Sequence, residues 1–150
     1  RVRATGSRIH EEAADAALAA GATWVEAGDA FDAAVAGSAV ILDGILGIGG
    51  DSPALRCDAR TAVARLRELL HLDDPAIVNL NRDARAGRPA IVAVDLPSGV
   101  HADDGSVPDP TVLPADVTVT FGAVKAGLLR EPAARYAGEV RLVELGLERA

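Results

Sequence analysis

The 150-residue sequence contains no methionine, one cysteine, one lysine and only four aromatic side chains. Lacking any methionine, the chain reads as a fragment or processed piece of a longer polypeptide. Cys57 is the one cysteine, so no internal disulfide can form, which fits a reducing compartment and sets the cytoplasm as the expected location. No histidine lies beside Cys57 in the sequence, and it is read as a small residue on a helix rather than as a nucleophile. Trp24, Phe31, Phe121 and Tyr136 are too few for a base-stacking platform. Fifteen basic against twenty-two acidic residues give a net charge of -7, which disfavours nucleic acid and anionic membrane surfaces as partners. The apolar runs, such as residues 39–42 and 90–94, fall far short of a bilayer span, and no basic-then-apolar leader is read ahead of them. His10, His71 and His101 are scattered without ligand spacing, which argues against zinc. Fourteen of the fifteen basic residues are arginine, so Lys125 stands out as a departure from the chain's own usage.

What the sequence does have is a hydrophobic content of 49% with 25% charged residues, the composition of an ordinary globular domain. One domain spanning residues 1–150 is expected. Residues 9–20 carry Ile9, Ala13, Ala16, Ala17 and Ala20 on one stripe and predict a helix capped by Ser7 and stopped by Gly21. A short strand is expected over 23–26, and a brief helix from an Asp29 cap to Ala36. Residues 38–42 (SAVIL) form a continuous apolar run suited to a strand covered on both faces. After the glycine-rich turn at 44–53, Leu55, Ala59, Ala62, Val63, Leu66 and Leu70 repeat at helical spacing. Residues 71–89 read as an exposed loop or a frayed second helix. Strands are expected over 90–94, 117–121 and 139–145, with irregular loops at 96–116 and 122–138. The alternation of strands and helices predicts an α/β fold, a Rossmann-like α/β/α sandwich of three layers with a mostly parallel sheet.

In such a sheet the carboxyl ends of the strands share one edge, where ligands bind. Three strands end similarly: SAVIL-Asp43-Gly44, AIVAV-Asp95-Leu96-Pro97-Ser98-Gly99 and VTVTF-Gly122-Ala123-Val124-Lys125. Asp43, Asp95, Ser98 and Lys125 are therefore expected to converge, although each aspartate alone serves equally well as a turn or cap residue. Gly47-Ile48-Gly49-Gly50 after a strand resembles an anion-binding loop whose backbone N–H groups approach a phosphate, yet it is neither a dinucleotide fingerprint nor a Walker loop. Ser98 lacks the G-x-S-x-G context of a nucleophile elbow and is read as an oxygen donor. Asp43 with Ser98, completed by strand-end carbonyls, offers hard oxygens with a single carboxylate, a set that suits a monovalent cation better than a divalent one.

Three ordered motifs, LDGILGIGG, VAVDLPSGVHADDG and ADVTVTFGAVKAGLL, together with GEVRLVELGL, resemble the NAD(P)H-hydrate epimerases, the YjeF N-terminal domain family. The resemblance implies an isomerase that interconverts the R and S forms of hydrated NADH and NADPH in cofactor repair. It further implies one potassium ion held by Asp43 and Ser98, and a substrate-phosphate cradle formed by Gly47, Ile48, Gly49, Gly50, Asp51, Ser52 and Pro53. By the same likeness Asp95 would be the catalytic residue at the reacting ring, and Lys125 would belong to a loop near the substrate. An NAD(P)H-hydrate dehydratase, fused in some bacteria, is the implied partner, and a homodimer the candidate assembly. The family's Asn-Asn-Gly-Gly-Asp-Gly loop is expected upstream of residue 1. His101 stands where an aspartate is usual, and Ala126 where a proline is usual. The rival expectation is a Rossmann-like module that binds a nucleotide or a protein without catalysis. A generic nicotinamide dehydrogenase would need a fingerprint glycine loop that the sequence lacks.

Overall fold

The computed structural model describes residues 1–5, 9–49, 52–72 and 87–146. Four strands, β1 (Val40–Asp43), β2 (Ala90–Val94), β3 (Val117–Phe121) and β4 (Glu139–Val143), form one sheet in the order β1-β2-β3-β4 with every pair parallel. Parallel neighbours require a crossover rather than a hairpin. From β1 to β2 it carries helix α3 (Cys57–Leu69), and from β3 to β4 a 3-10 turn (Ala126–Leu129) and the short helix α4 (Ala134–Ala137). Helices α1 (Glu11–Ala19) and α2 (Asp29–Ala36) precede β1. The Rossmann-like α/β class expected from the sequence is the one the chain adopts.

α3 forms where apolar residues recur at helical spacing, and the stripe buries Ala59, Ala62, Val63 and Leu66. Of these, Ala59, Val63 and Leu66 join Leu55, Val35 of α2 and Ile91 of β2 in one core cluster. Leu96, Val100, Val112, Leu128, Ala133 and Ala137 build a second beneath β3 and β4, against Val140. Both clusters lie on the sheet face that carries Ile91 and Thr118, since alternate residues of a strand point to opposite faces.

Several local expectations are corrected. α1 is capped by His10, whose Nδ1 accepts a hydrogen bond from the Ala13 N–H at 3.3 Å, whereas Ser7 lies outside the described residues. The segment 23–26 makes only a parallel bridge between Val2 and Trp24, because Val2 offers a single residue to pair with. Gly28, with φ 87°, takes the cap position of α2, and Asp29 becomes its first residue. The loop 122–138 is not irregular throughout, since it contains the 3-10 turn and α4. The run 38–42 does not give a strand covered on both faces: Val40 and Leu42 of β1 are exposed, and register aligns them with exposed Val94, Phe121 and Val143 on one face. Helix or loop for residues 73–86 lies outside the described residues.

Two features hold the loops to the sheet. The Arg88 guanidinium grips the buried Asp116 carboxylate through two N–H donors at 2.6 and 3.0 Å, and the Ile91 N–H donates to the same carboxylate at 2.8 Å. This fastens the entry of β3 to the entry of β2. Gly127, in the 3-10 turn, sits so close to the loop after β2 that a Cβ would lie 2.1 Å from the His101 carbonyl oxygen and 2.7 Å from that of Ala102. Asp116→Ala, which strands Arg88 beside an apolar interior, is expected to lower the unfolding free energy by about 3–5 kcal/mol in urea titration.

Candidate functional site

The site is assembled at the carboxyl ends of β1, β2 and β3. Asp43 ends β1 with its side chain on the core face, and it is 3% exposed. After β2 the chain turns through Pro97 and Ser98 to Gly99, whose φ of 108° favours glycine and whose Cβ position is filled by Val112 Cγ2 at 2.7 Å. That turn brings fully buried Ser98 against Asp43. The Ser98 hydroxyl donates to Asp43 Oδ1 at 2.6 Å and the Ser98 N–H to Oδ2 at 2.8 Å. Ser98 Oγ in turn accepts from the Leu46 N–H at 2.9 Å, so one hydroxyl joins the ends of two strands to the start of the glycine loop. Burial pushes the Asp43 carboxyl above the usual carboxylate range, against the lowering effect of the Ser98 and Ile45 donors. No cation pairs with Asp43 among the described residues.

Asp95 stands one residue past β2 with φ 72°, a left-handed conformation that aspartate tolerates better than most residues. Its N–H continues the ladder to the Val119 carbonyl at 2.7 Å, and its carboxylate turns toward β3. There Oδ1 meets the Lys125 ammonium, the Thr120 hydroxyl at 3.1 Å and the Phe121 N–H at 3.3 Å. Burial works to raise the Asp95 carboxyl, but Lys125, Phe121 and Thr120 outweigh it and hold the group below the usual range.

The expected convergence is thus resolved into two pairs on neighbouring strand ends. Asp43 meets Ser98, and Asp95 meets Lys125; among the described residues no hydrogen bond or ion pair joins one pair to the other. Gly47, Ile48, Gly49, Ser52 and Pro53 lie in the loop after β1, with Ile48 exposed, whereas Gly50 and Asp51 lie outside the described residues. The loop does not run straight into a helix: α3 begins only at Cys57, which is exposed. Thr120 is a residue the sequence reading passed over. The alternation in VTVTF carries its signal, since it sets Thr118 and Thr120 on the core face, where a hydroxyl needs a partner. A cavity of about 530 Å³ lined by Val35, Leu72 and Arg88 lies at the opposite, amino edge of the sheet, where Arg88 and Pro89 lead into β2.

The family model described as YjeF-related protein N-terminus matches residues 1–127. The chain belongs to this family. Its relatives within reach include the NAD(P)H-hydrate epimerase of Clavibacter michiganensis subsp. michiganensis, 49% identical over 149 residues, covering 96% of this chain and 59% of the relative. That of Clavibacter sepedonicus is 52% identical over 153 residues, covering 99% of this chain and 61% of the relative. The bifunctional NAD(P)H-hydrate repair enzyme Nnr of Escherichia coli is 47% identical over 58 residues, covering 39% of this chain and 11% of that protein. The chain spans about six tenths of the length of the two Clavibacter relatives. In this YjeF-type chain no described helix is long and apolar enough to cross a membrane.

Ser98→Ala removes the hydroxyl shared by Asp43 and the Leu46 N–H and leaves both short of a partner. A loss of about 1–3 kcal/mol in unfolding free energy is expected, measured by chemical denaturation.

Proposed function

We propose that the full-length protein containing this chain epimerises the R and S forms of NAD(P)H-hydrate, with Asp95 acting at the hydrated ring. What carries this reading is Asp95 itself: an ionised carboxylate at the carboxyl edge of a parallel sheet, in a chain about half identical to proteins named NAD(P)H-hydrate epimerase. Inverting the hydrated carbon requires a bond at that carbon to open and close again on its other face. In a ring-opened course the carboxylate accepts the hydroxyl proton, the carbon–nitrogen bond breaks to leave a carbonyl, and the proton passes to the ring nitrogen. Reclosure on the opposite face of the carbonyl returns it. Where positive charge develops on the ring instead, the same carboxylate stabilises it. Proton transfer of this kind contributes about 10²–10⁴-fold.

Asp43 and Ser98 are the proposed potassium ligands. Their donor set fits a hard monovalent cation, because it offers one carboxylate and one hydroxyl with a lone pair to spare. A buried carboxylate lacking a cationic partner is also costly unless a counter-charge is supplied. Potassium would supply that charge and draw oxygens of the ligand toward the strand ends. The loop from Gly47 to Pro53 is the proposed cradle for the substrate's phosphates. An NAD(P)H-hydrate dehydratase is the proposed partner, in line with the relatives named bifunctional NAD(P)H-hydrate repair enzyme Nnr.

Asp95→Asn in the full-length protein is expected to lower kcat/KM for R/S exchange by about 10²–10⁴-fold with an unchanged circular dichroism spectrum. Chromatographic separation of the two epimers reads the outcome, and retained turnover removes Asp95 from the reaction. Replacing N-methylglucamine by potassium is expected to raise stability by about 1.4 kcal/mol at tenfold excess over Kd, and Asp43→Asn to abolish the gain. Thermal unfolding in the two salts measures it.

A further inference from the structure

We propose that Lys125 is a positioning residue: with Thr120 it fixes Oδ1 of Asp95, so that Oδ2 alone is presented to the reacting ring. This role rests on the assignment of Asp95 above. All three donors to the carboxylate fall on the same oxygen, the Lys125 ammonium, the Thr120 hydroxyl and the Phe121 N–H, and among the described residues none reaches Oδ2. Three donors on one oxygen restrain rotation of the carboxylate and leave the other oxygen without a protein donor among the described residues. Catalysis by a proton acceptor demands that kind of fixed approach.

The surroundings of Lys125 argue against a direct hold on substrate phosphate. Its side chain is 16% exposed, and Nζ also donates to the Phe121 carbonyl at 2.9 Å, so two of the three ammonium protons are committed within the protein. Nζ is wedged between a carboxylate oxygen and a carbonyl oxygen four residues before it in the chain. A compact ammonium serves both acceptors from one point, whereas a guanidinium spreads its donors over a planar fork. Among the described residues, Lys125 is also the one charged group that the Asp95 carboxylate meets. From β3 come only the Thr120 hydroxyl and the Phe121 N–H, while Asp43 on β1 is turned to Ser98 and Ile45. On β4, Arg141 and Glu139 pair with each other.

The test compares Lys125→Gln, Lys125→Arg and Thr120→Val in the full-length enzyme. For Lys125→Gln, kcat is expected to fall about 10²-fold while KM stays within about threefold, since the lost group acts through the proton acceptor and not on bound substrate. A base must be ionised to work, so removing its cationic partner moves the acid limb of the kcat/KM profile to higher pH. Lys125→Arg keeps the charge and is expected to leave the acid limb in place with only partial recovery of kcat. Thr120→Val is expected to move the limb in the same direction as Lys125→Gln, by less. Carbon-13 carboxyl titration of Asp95 follows the same shift without any turnover. A rise in KM with kcat, acid limb and carboxyl titration all unmoved makes Lys125 a substrate anchor and overturns the proposal. If Asp95→Asn retains turnover, the assignment of Asp95 fails and the role of Lys125 falls with it. An unmoved titration in an enzyme that does require Asp95 sinks Lys125 alone.

Discussion

The clasp between Asp43 and Ser98 is the contact on which the carboxyl edge of the sheet depends. Two strands that are neighbours in space but some fifty residues apart in sequence end there. The carboxylate of one takes both the hydroxyl and the N–H that follow the other. Because the same hydroxyl accepts from the Leu46 N–H, the glycine loop after β1 takes its starting direction from a residue after β2. A buried carboxylate that accepts three donors is a strong organiser, yet its charge remains in a medium that disfavours it. The same residue therefore orders the loops while its burial weighs against its charged form.

The two aspartates at adjacent strand ends have been given opposite environments. Asp43 is deeply buried, faces only neutral donors and is driven toward its protonated form. Asp95 is partly open, carries an ammonium on one oxygen and is held ionised. Identical side chains on neighbouring strand ends thereby acquire proton affinities pushed in opposite directions. Neither environment follows from the residue type; each follows from what packs beside it.

Much of the fold was legible in the chain. β3 was read to the residue because VTVTF is bounded by Asp116 and Gly122, and α3 was readable because six apolar positions repeat over four turns. Helix α4 was not, since a helix of four residues has no period to detect. Exposure of Val40 and Leu42 was equally hidden: an apolar run reports that a strand can be covered, and coverage depends on what packs there. At the site, the meeting of Asp43 with Ser98 could be foreseen from two strand ends in a parallel sheet. The turning of Asp95 toward β3 could not, because it rests on a left-handed backbone angle at a residue that usually avoids one. Lys125 was expected at the same edge, both as the chain's one lysine and as a strand-end residue, but its specific pairing with Asp95 became visible only once β2 and β3 were seen side by side.

Gly127 is the quietest part of this arrangement. Two residues beyond Lys125 the backbone rests almost directly on the carbonyls of His101 and Ala102, in a gap that admits a hydrogen atom and no methyl group. That stand-off sets how far the 3-10 turn is drawn down onto the loop after β2, and with it the reach available to the lysine stem. The ion pair between Lys125 and Asp95 thus sits beside a close approach that depends on an absent carbon, at a position that has no polar side chain and would never be picked out by its chemistry.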